Sequence, residues 1–196
     1  MTALPKILYA AEVVQQICEE YNWRFCFIGG LAVQRWGEPR FTQDVDLTLL
    51  TGFGQEEPFI DALLGRLHPR TLDAKAFALV NRVLLLKTSD NVPVDVALGA
   101  LPFEEACITR ATPWSWIPGK ILLTCSAEDL VVHKVFAGRP LDWLDVERVL
   151  TRQHGRINLP QVREDLRPLL ELKGTHEALA QLETVIAAVN DRLRKD

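Results

Sequence analysis

Two aspartates separated by one residue are the first feature of this chain with chemical potential. Asp44 and Asp46 lie in a segment in which polar and apolar side chains alternate up to Leu49. Such alternation predicts a half-buried β-strand, on which residues two apart share a face at a spacing of about 6.5–7 Å. Two carboxylates so placed can bind one Mg²⁺ ion or a pair of ions about 4 Å apart. The same pattern also occurs on solvated strand faces, so the pair alone leaves both interpretations open.

A pair of glycines precedes the aspartates. Gly29 and Gly30 follow the apolar run 25–28, which predicts a strand buried on both faces, and they precede a short helix over 31–36. Glycines let the chain turn sharply and leave backbone N–H groups uncovered, and a helix N-terminus favours an anion such as phosphate. Asp44 comes only 14 positions after Gly30. A phosphate site so close to a cation site predicts chemistry on a nucleoside triphosphate, although each feature alone is common.

The order of these features resembles a known superfamily. A Gly-Gly turn, a short helix and then R-F-T-x-D-x-D-L is similar to the nucleotidyltransferases with the DNA-polymerase-beta-type fold, and more narrowly to the AbiEii-like nucleotidyltransferases. The resemblance implies that Asp44 and Asp46 are catalytic metal ligands. The nucleotide-binding residues it implies in this region are Gly29, Gly30, Arg40 and Thr42. Leu31 stands where the superfamily usually has serine or threonine, so backbone N–H groups alone must contact the phosphates there.

A third aspartate stands at the centre of a later apolar segment. In residues 92–98, VPVDVAL, the apolar residues at 92, 94, 96 and 98 share one strand face and Asp95 lies on the other. A carboxylate buried there without a charged partner would be costly, so Asp95 either faces solvent or binds a metal. The resemblance implies the second, because the superfamily places a third carboxylate on a strand beside the D-x-D strand. Asp95 would then be a catalytic metal ligand that also helps to deprotonate the acceptor hydroxyl.

A further segment, residues 126–146, also resembles the AbiEii-like pattern, in which a helix lysine precedes an arginine and one or two aspartates. By position these are Lys134, Arg139, Asp142 and Asp145. The resemblance implies that Lys134, Arg139 and Asp142 bind nucleotide, and ammonium and guanidinium groups suit phosphate oxygens. The residues alone leave other interpretations open. Lys134 is then a surface lysine, Asp142 a helix N-cap, and Asp145 a partner of Arg148 or Arg139.

Composition and charge narrow the classes of function. The chain is 48% hydrophobic and 24% charged, as soluble globular proteins are. No apolar run approaches the roughly 18 residues of a membrane span, and residues 1–21 have helical spacing rather than the pattern of a signal peptide. Four scattered cysteines indicate buried thiols, and we therefore expect a cytoplasmic protein with no membrane contact. A net charge of −4 gives no support for strong non-specific nucleic-acid binding.

Periodicity predicts an α/β (α+β) fold in two parts. Residues 1–124 are expected to form a nucleotidyltransferase core, a small mixed β-sheet of four or five strands flanked by helices. Residues 125–196 are expected to form a C-terminal bundle of about four helices packed on the core. The less regular segments are a helix over 58–68 ended by Pro69, a short apolar piece at 77–80, and a loop over 112–118. Trp114 and Trp116 in that loop either pack over a core edge or stack on a nucleobase.

These residues lead to one function and two alternatives. The chain is expected to be a Mg²⁺- or Mn²⁺-dependent nucleotidyltransferase of the EC 2.7.7 class, moving a nucleoside monophosphate from a nucleoside triphosphate to an acceptor hydroxyl. The acceptor is tRNA or another RNA, a protein or a small molecule. One alternative is a nucleotide-binding regulatory module with little turnover, such as a toxin–antitoxin partner. The other is a metal-dependent phosphohydrolase, since D-x-D sites also activate water.

Overall fold

The computed structural model describes residues 3–195, which form two compact units. Residues up to 31 and 41–125 make up the first unit, and residues 32–40 and 126 onward make up the second. The helices are α1 (Ala3–Glu20), α2 (Gly29–Trp36), α3 (Glu57–Leu64), α4 (Ala74–Asn81), α5 (Pro102–Arg110), α6 (Ala127–Ala137), α7 (Pro140–Arg152), α8 (Leu159–Lys173) and α9 (Glu177–Leu193). The strands are β1 (Phe25–Phe27), β2 (Val45–Leu50), β3 (His68–Pro69), β4 (Val83–Lys87), β5 (Pro93–Gly99), β6 (Thr112–Ile117) and β7 (Lys120–Thr124).

The first unit is built on one mixed β-sheet, which confirms the predicted fold class. Within residues 3–195 this sheet has seven strands in the order β3-β4-β5-β2-β1-β7-β6. The pairs β2–β5 and β1–β7 are parallel, and the other neighbours are antiparallel. The expectation of four or five strands was therefore wrong. The two strands that the sequence did not indicate, β3 and β6, are the edge strands.

Edge position explains why β6 was interpreted as a loop. Pro113 cannot donate a ladder hydrogen bond and argues against a central strand, but an edge strand leaves one side of its backbone unpaired and tolerates proline. Trp114 and Trp116 are partly buried against the apolar core, and the Trp116 ring makes an edge-to-face contact with Tyr9 of α1. Packing over a core edge is thus the observed role of these tryptophans.

Two helical segments differ from their prediction. The helix expected over 58–68 ends at Leu64, where Gly65 is the C-cap, and His68 and Pro69 form the short strand β3. The apolar piece at 77–80 lies inside α4, whose N-cap Asp73 accepts a hydrogen bond from the Ala76 N–H. Alanine-rich sequence and a capping aspartate favour a helix here over the extended form.

The sheet has an apolar face and a face that carries the aspartates. Phe25 and Phe27 of β1 lie on the first face, in a core cluster with Leu47 of β2, Val96 of β5 and the buried side of α1. Cys26 points to the opposite face, where its Sγ atom lies 3.7 Å from that of Cys107 on α5. Cys26 is paired with Thr48 of β2, so Thr48 lies on the same face as Cys26. Asp46 comes two residues before Thr48 on that strand, and because side chains alternate along a strand it also belongs to this second face.

The second unit contains the four C-terminal helices that periodicity predicted, and the first of them, α6, has a serine N-cap and a glycine C-cap. Ser126 accepts a hydrogen bond from the Asp129 N–H at the start of α6, and Gly138 ends that helix with a φ of 72°. Residues 32–40 join this unit, and the Gln153 side-chain amide donates to the Trp36 carbonyl at 2.9 Å. The functional division at residues 124 and 125 stays a prediction. Among helices described within residues 3–195, none has the length and apolar character needed to cross a membrane.

Candidate metal and nucleotide site

Strand register brings the three predicted carboxylates together in the first unit. Strands β2 and β5 are parallel, and Asp46 is paired directly with Asp95. Asp44 comes just before β2, two residues from Asp46 and therefore on the same face. One carboxylate oxygen from each of the three residues lies within 4.8 Å of the others. The sheet thus provides the juxtaposition that the D-x-D motif and Asp95 led us to expect, while their binding of a metal stays a prediction.

Each carboxylate of this triad, Asp44, Asp46 and Asp95, accepts a hydrogen bond from a different part of the chain. The Thr42 hydroxyl donates to Asp44 Oδ1 at 3.1 Å, and the Gly30 N–H donates to Asp46 Oδ2 at 3.4 Å. The Arg70 guanidinium donates to Asp95 Oδ1. All three aspartates are partly exposed and offer hard oxygen ligands, the type that Mg²⁺ and Mn²⁺ prefer. The donor set therefore fits the predicted cation.

The two glycines are required by the close approach of side chains. Gly29 has a φ of +54°, and a Cβ atom there would lie 2.0 Å from Asp46 Oδ2. A Cβ atom at Gly30 would lie 2.2 Å from the Thr42 hydroxyl oxygen. Helix α2 begins at Gly29 rather than after the glycine pair, and the Gly30 N–H is directed at Asp46. The observed contacts of the glycine pair are therefore with the Asp46 carboxylate and the Thr42 hydroxyl. Contact between the glycine backbone and a phosphate stays a prediction.

Gly29→Ala should weaken both the fold and the triad. A non-glycine residue with positive φ costs about 1–2 kcal/mol, and the new methyl group would also displace the Asp46 carboxylate. We expect a loss of unfolding free energy above that range in urea titrations, together with weaker Mn²⁺ binding. Gly119→Ala is the matched control, because Gly119 also has a positive φ, of +78°, but a Cβ atom added there would meet no other atom within 4 Å. Equal losses and equal Mn²⁺ binding in the two variants would mean that Gly29 does not position Asp46.

Burial shapes the acidity of the third carboxylate. Removal from water raises the pKa of Asp95 above its ordinary value. The Arg70 guanidinium opposes this shift, whereas the Asp44 carboxylate adds to it. The net direction is upward, so Asp95 is a better proton acceptor than an exposed aspartate.

The second unit holds a separate cluster of charges around Lys134, which is 6% exposed. The Lys134 ammonium lies 2.9 Å from one carboxylate oxygen of Asp142 and 2.9 Å from one of Asp145. Arg40 donates two hydrogen bonds of 2.8 Å to Asp145, and Arg139 Nε donates to Asp142 at 2.7 Å. We call these five residues the buried charge cluster.

This cluster decides between the interpretations that the sequence left open. Lys134 is buried, so it is not an ordinary surface lysine. Arg139 is the N-cap of α7, and Asp142 lies three residues into the helix, where it accepts the Arg139 backbone N–H at 3.2 Å. Asp145 pairs with Arg40 and Lys134, while Arg148 pairs with Glu38. Nucleotide binding by Arg40, Lys134, Arg139 and Asp142 stays a prediction.

The cations of the cluster also set the acidity of its aspartates. Burial alone would raise the pKa of Asp142, but the hydrogen bonds from Arg139 and Lys134 lower it below its ordinary value. Burial acts on Asp145 in the same way, and there the hydrogen bonds from Arg40 and Lys134 lower the pKa. Both carboxylates are therefore held ionised at neutral pH by their basic partners.

Comparison with known proteins identifies the fold. No protein family and no curated protein sequence matches this chain. Among solved structures, an antigenic nucleotidyltransferase-like protein from Paracoccidioides brasiliensis has 14% identity and a TM-score of 0.51, with 93% of this chain and 92% of that one covered. This chain has the nucleotidyltransferase fold. The superfamily resemblance is thereby confirmed at the level of the fold, and the AbiEii-like subtype stays a prediction.

Two antibiotic-related structures also match this chain, with lower TM-scores. The antibiotic-resistance factor ANT(2'')-Ia has 18% identity and a TM-score of 0.45, with 96% of this chain and 93% of that one covered. The lincosamide antibiotic adenylyltransferase LnuA, bound to lincomycin, has 12% identity and a TM-score of 0.44. The overlap with LnuA covers 69% of this chain and 91% of that one.

Sequence reasoning missed one residue of the triad's surroundings in this nucleotidyltransferase fold. Arg70 follows Pro69, which was interpreted as a helix terminator, and it lies 25 residues before its partner Asp95. No spacing rule connects the two residues. The contact depends on the pairing of β3 with β4 and of β4 with β5, which places the end of β3 two strands away from Asp95.

Proposed function

We propose that this protein is a nucleotidyltransferase that moves a nucleoside monophosphate from a nucleoside triphosphate to an acceptor hydroxyl and releases pyrophosphate. The observation that carries the proposal is the convergence of Asp44, Asp46 and Asp95 beside the start of α2 in a nucleotidyltransferase fold. A cluster of three carboxylates costs free energy through mutual repulsion unless a cation compensates it. Such a cluster beside a helix N-terminus suits a ligand that brings both a cation and phosphate.

The triad would hold Mg²⁺ or Mn²⁺, which when bound would neutralise negative charge on the triphosphate. The backbone at Gly29 and Gly30 would orient the phosphates at the N-terminus of α2, with the Thr42 hydroxyl holding Asp44 in place. Arg40, Thr42, Lys134, Arg139 and Asp142 complete the proposed nucleotide-binding set. Within the second unit, Arg139 has the most exposed side chain of the buried charge cluster, and its guanidinium donates to Asp142.

Asp95 would accept the proton of the acceptor hydroxyl. In the proposed reaction the hydroxyl oxygen forms a bond to the α-phosphorus while the bond from that phosphorus to the pyrophosphate oxygen breaks. The proton passes to the Asp95 carboxylate and then to solvent. Partial burial raises the pKa of the Asp95 carboxyl in the metal-free protein. The chemistry otherwise depends on positioning and on charge neutralisation.

Labelled nucleotides test the proposal. The protein is incubated with each of the four nucleoside triphosphates, labelled at the α- or γ-phosphate, with Mg²⁺ or Mn²⁺ and separate pools of RNA, protein and hydroxyl-bearing small molecules. Transfer of the α-label with release of pyrophosphate is the expected result. Nucleotide binding without transfer in any pool would favour a regulatory or toxin–antitoxin module, and release of free phosphate alone would favour a phosphohydrolase.

Asp95→Ala separates catalysis from nucleotide binding. A residue that acts on the acceptor contributes mainly in the transition state, so its loss should reduce turnover more than affinity. We expect the transfer rate to fall by at least about a hundredfold, near 2.7 kcal/mol of barrier. Affinity for the nucleotide with Mg²⁺ should stay within about tenfold of wild type, below roughly 1.4 kcal/mol.

Single-turnover rates and equilibrium nucleotide titrations measure the two quantities separately. Asp90 is exposed in the turn between β4 and β5. The matched control Asp90→Ala should therefore change neither the transfer rate nor the nucleotide affinity. A parallel collapse of affinity and rate in Asp95→Ala would assign Asp95 to nucleotide binding instead of to the acceptor.

A further inference from the structure

The Arg70–Asp95 ion pair places a protein cation inside the proposed cation site. The Arg70 guanidinium donates to Asp95 Oδ1, and the side chains of Arg70 and Asp95 are 30% and 32% exposed. Asp95 is also one of the three residues whose carboxylate oxygens lie within 4.8 Å of one another. A positive charge bonded to one carboxylate of the triad therefore lies close to the position that a metal ion would take.

The fold holds Arg70 in this place from the edge of the sheet. The Arg70 backbone N–H donates to the Leu85 carbonyl of β4 at 3.0 Å, so the backbone continues the β3 pairing past Pro69. Leu85 is paired with Asp95 across β4 and β5. The Arg70 side chain thus spans the width of β4 to reach Asp95. The Arg70 backbone is held by the pairing of β3 with β4, whereas Asp46 of the D-x-D motif lies on β2.

We propose that Arg70 is an internal counter-ion that competes with the divalent cation for the triad. Without metal the guanidinium compensates part of the repulsion among three carboxylates, and with metal its charge opposes the incoming cation. Arg70 thereby lowers the affinity for free cation and stabilises the metal-free protein. The inference rests on the proposed function, because it takes the triad as the cation site.

This arrangement has a consequence for the order of binding. A site whose affinity for the bare cation is reduced by Arg70 is filled best by a cation that arrives with an anionic ligand, since the ligand's negative charge offsets the guanidinium. The geometry therefore favours capture of the metal–triphosphate complex over capture of the free ion. Arg70 acts through Asp95 and is a positioning residue.

Mn²⁺ titration of Arg70→Gln tests the inference without any transfer assay. The signal of free Mn²⁺ in electron paramagnetic resonance gives the Kd in the absence of nucleotide. Removing a unit positive charge near the site should tighten Mn²⁺ binding by about tenfold. The same variant should have a lower Tm without metal and a larger rise in Tm on adding Mn²⁺. A purely structural role for Arg70 would instead weaken Mn²⁺ binding.

Two further variants make the result specific. Arg70→Lys keeps the charge and should restore a Kd close to that of wild type. Arg66→Gln removes an exposed pair with Glu20, 2.8 Å apart, and should leave Mn²⁺ affinity unchanged. Equal Mn²⁺ affinity in wild type and Arg70→Gln would overturn the proposed competition between Arg70 and the cation, but not the proposed cation site. Absence of Mn²⁺ binding in both proteins would overturn the proposed cation site, and with it both this inference and the metal-dependent function.

Discussion

Asp46→Asn should lower the rate of nucleotide transfer by at least about 1000-fold, which corresponds to roughly 4 kcal/mol of barrier. Asp46 is the centre of the triad, since it is paired with Asp95 across the strands, shares a face with Asp44 and accepts the Gly30 N–H. The amide keeps the size of the side chain and its acceptor oxygen but loses the charge. Cation-dependent nucleotide binding should therefore be lost while the fold remains. Transfer of α-label, at a nucleotide concentration that saturates wild type, measures the rate in both proteins.

The stability of Asp46→Asn separates a functional site from a structural one. Removing one charge from three crowded carboxylates relieves repulsion, so the Tm without metal should hold or rise. The rise in Tm that Mn²⁺ produces in wild type should disappear. Asp90→Asn, at an exposed turn, serves as the isosteric control and should transfer nucleotide as wild type does. Near wild-type transfer by Asp46→Asn would remove the basis of the proposed function.

Lys134→Met should cost about 3 kcal/mol of unfolding free energy, at the low end of the range of 3–5 kcal/mol for breaking a buried ion pair. Lys134 is 6% exposed and bridges two carboxylates that are themselves buried. Methionine fills a similar volume but leaves Asp142 and Asp145 with less compensating charge. Arg40 and Arg139 still contact the two aspartates, which is why we expect the lower figure. Urea unfolding at pH 7 gives the free energy.

The same variant should shift the pH dependence of stability in a defined direction. The folded-state pKa of each aspartate is lowered from an ordinary value of 3.8, so their contribution is present above that pH and is lost as the pH falls through the folded-state values. Without Lys134 these folded-state values rise, and the variant should lose stability at a higher pH than wild type does. Arg163→Gln, which breaks the partly exposed pair with Glu183, is the control in the same unit and should cost about 0–1 kcal/mol. A similarly small cost for Lys134→Met would mean that the buried charge cluster is not structural.

The sequence by itself determined the strand, turn and helix pattern around the D-x-D motif. Alternation of side chains on β2 and β5 is a local property, because residues two apart on a strand share a face in any fold. Glycine at positions 29 and 30 and the capping residues Ser126 and Gly138 of α6 are local signals of the same kind. These signals placed Asp44 and Asp46 on one strand face, and it was the resemblance to the nucleotidyltransferases that joined Asp95 to them.

Only the tertiary structure decided which groups compensate those carboxylates and the other buried charges. The pairing of Asp46 with Asp95 depends on the register of two strands that are far apart in sequence, and Arg70 reaches Asp95 through two further strand pairings. The cluster around Lys134 likewise depends on Arg40, which is 105 residues from its partner Asp145. Ion pairs of this kind carry no periodicity, since long side chains meet wherever the backbone places them. The local pattern therefore indicates candidate carboxylates, and the tertiary structure determines which basic groups lie next to them.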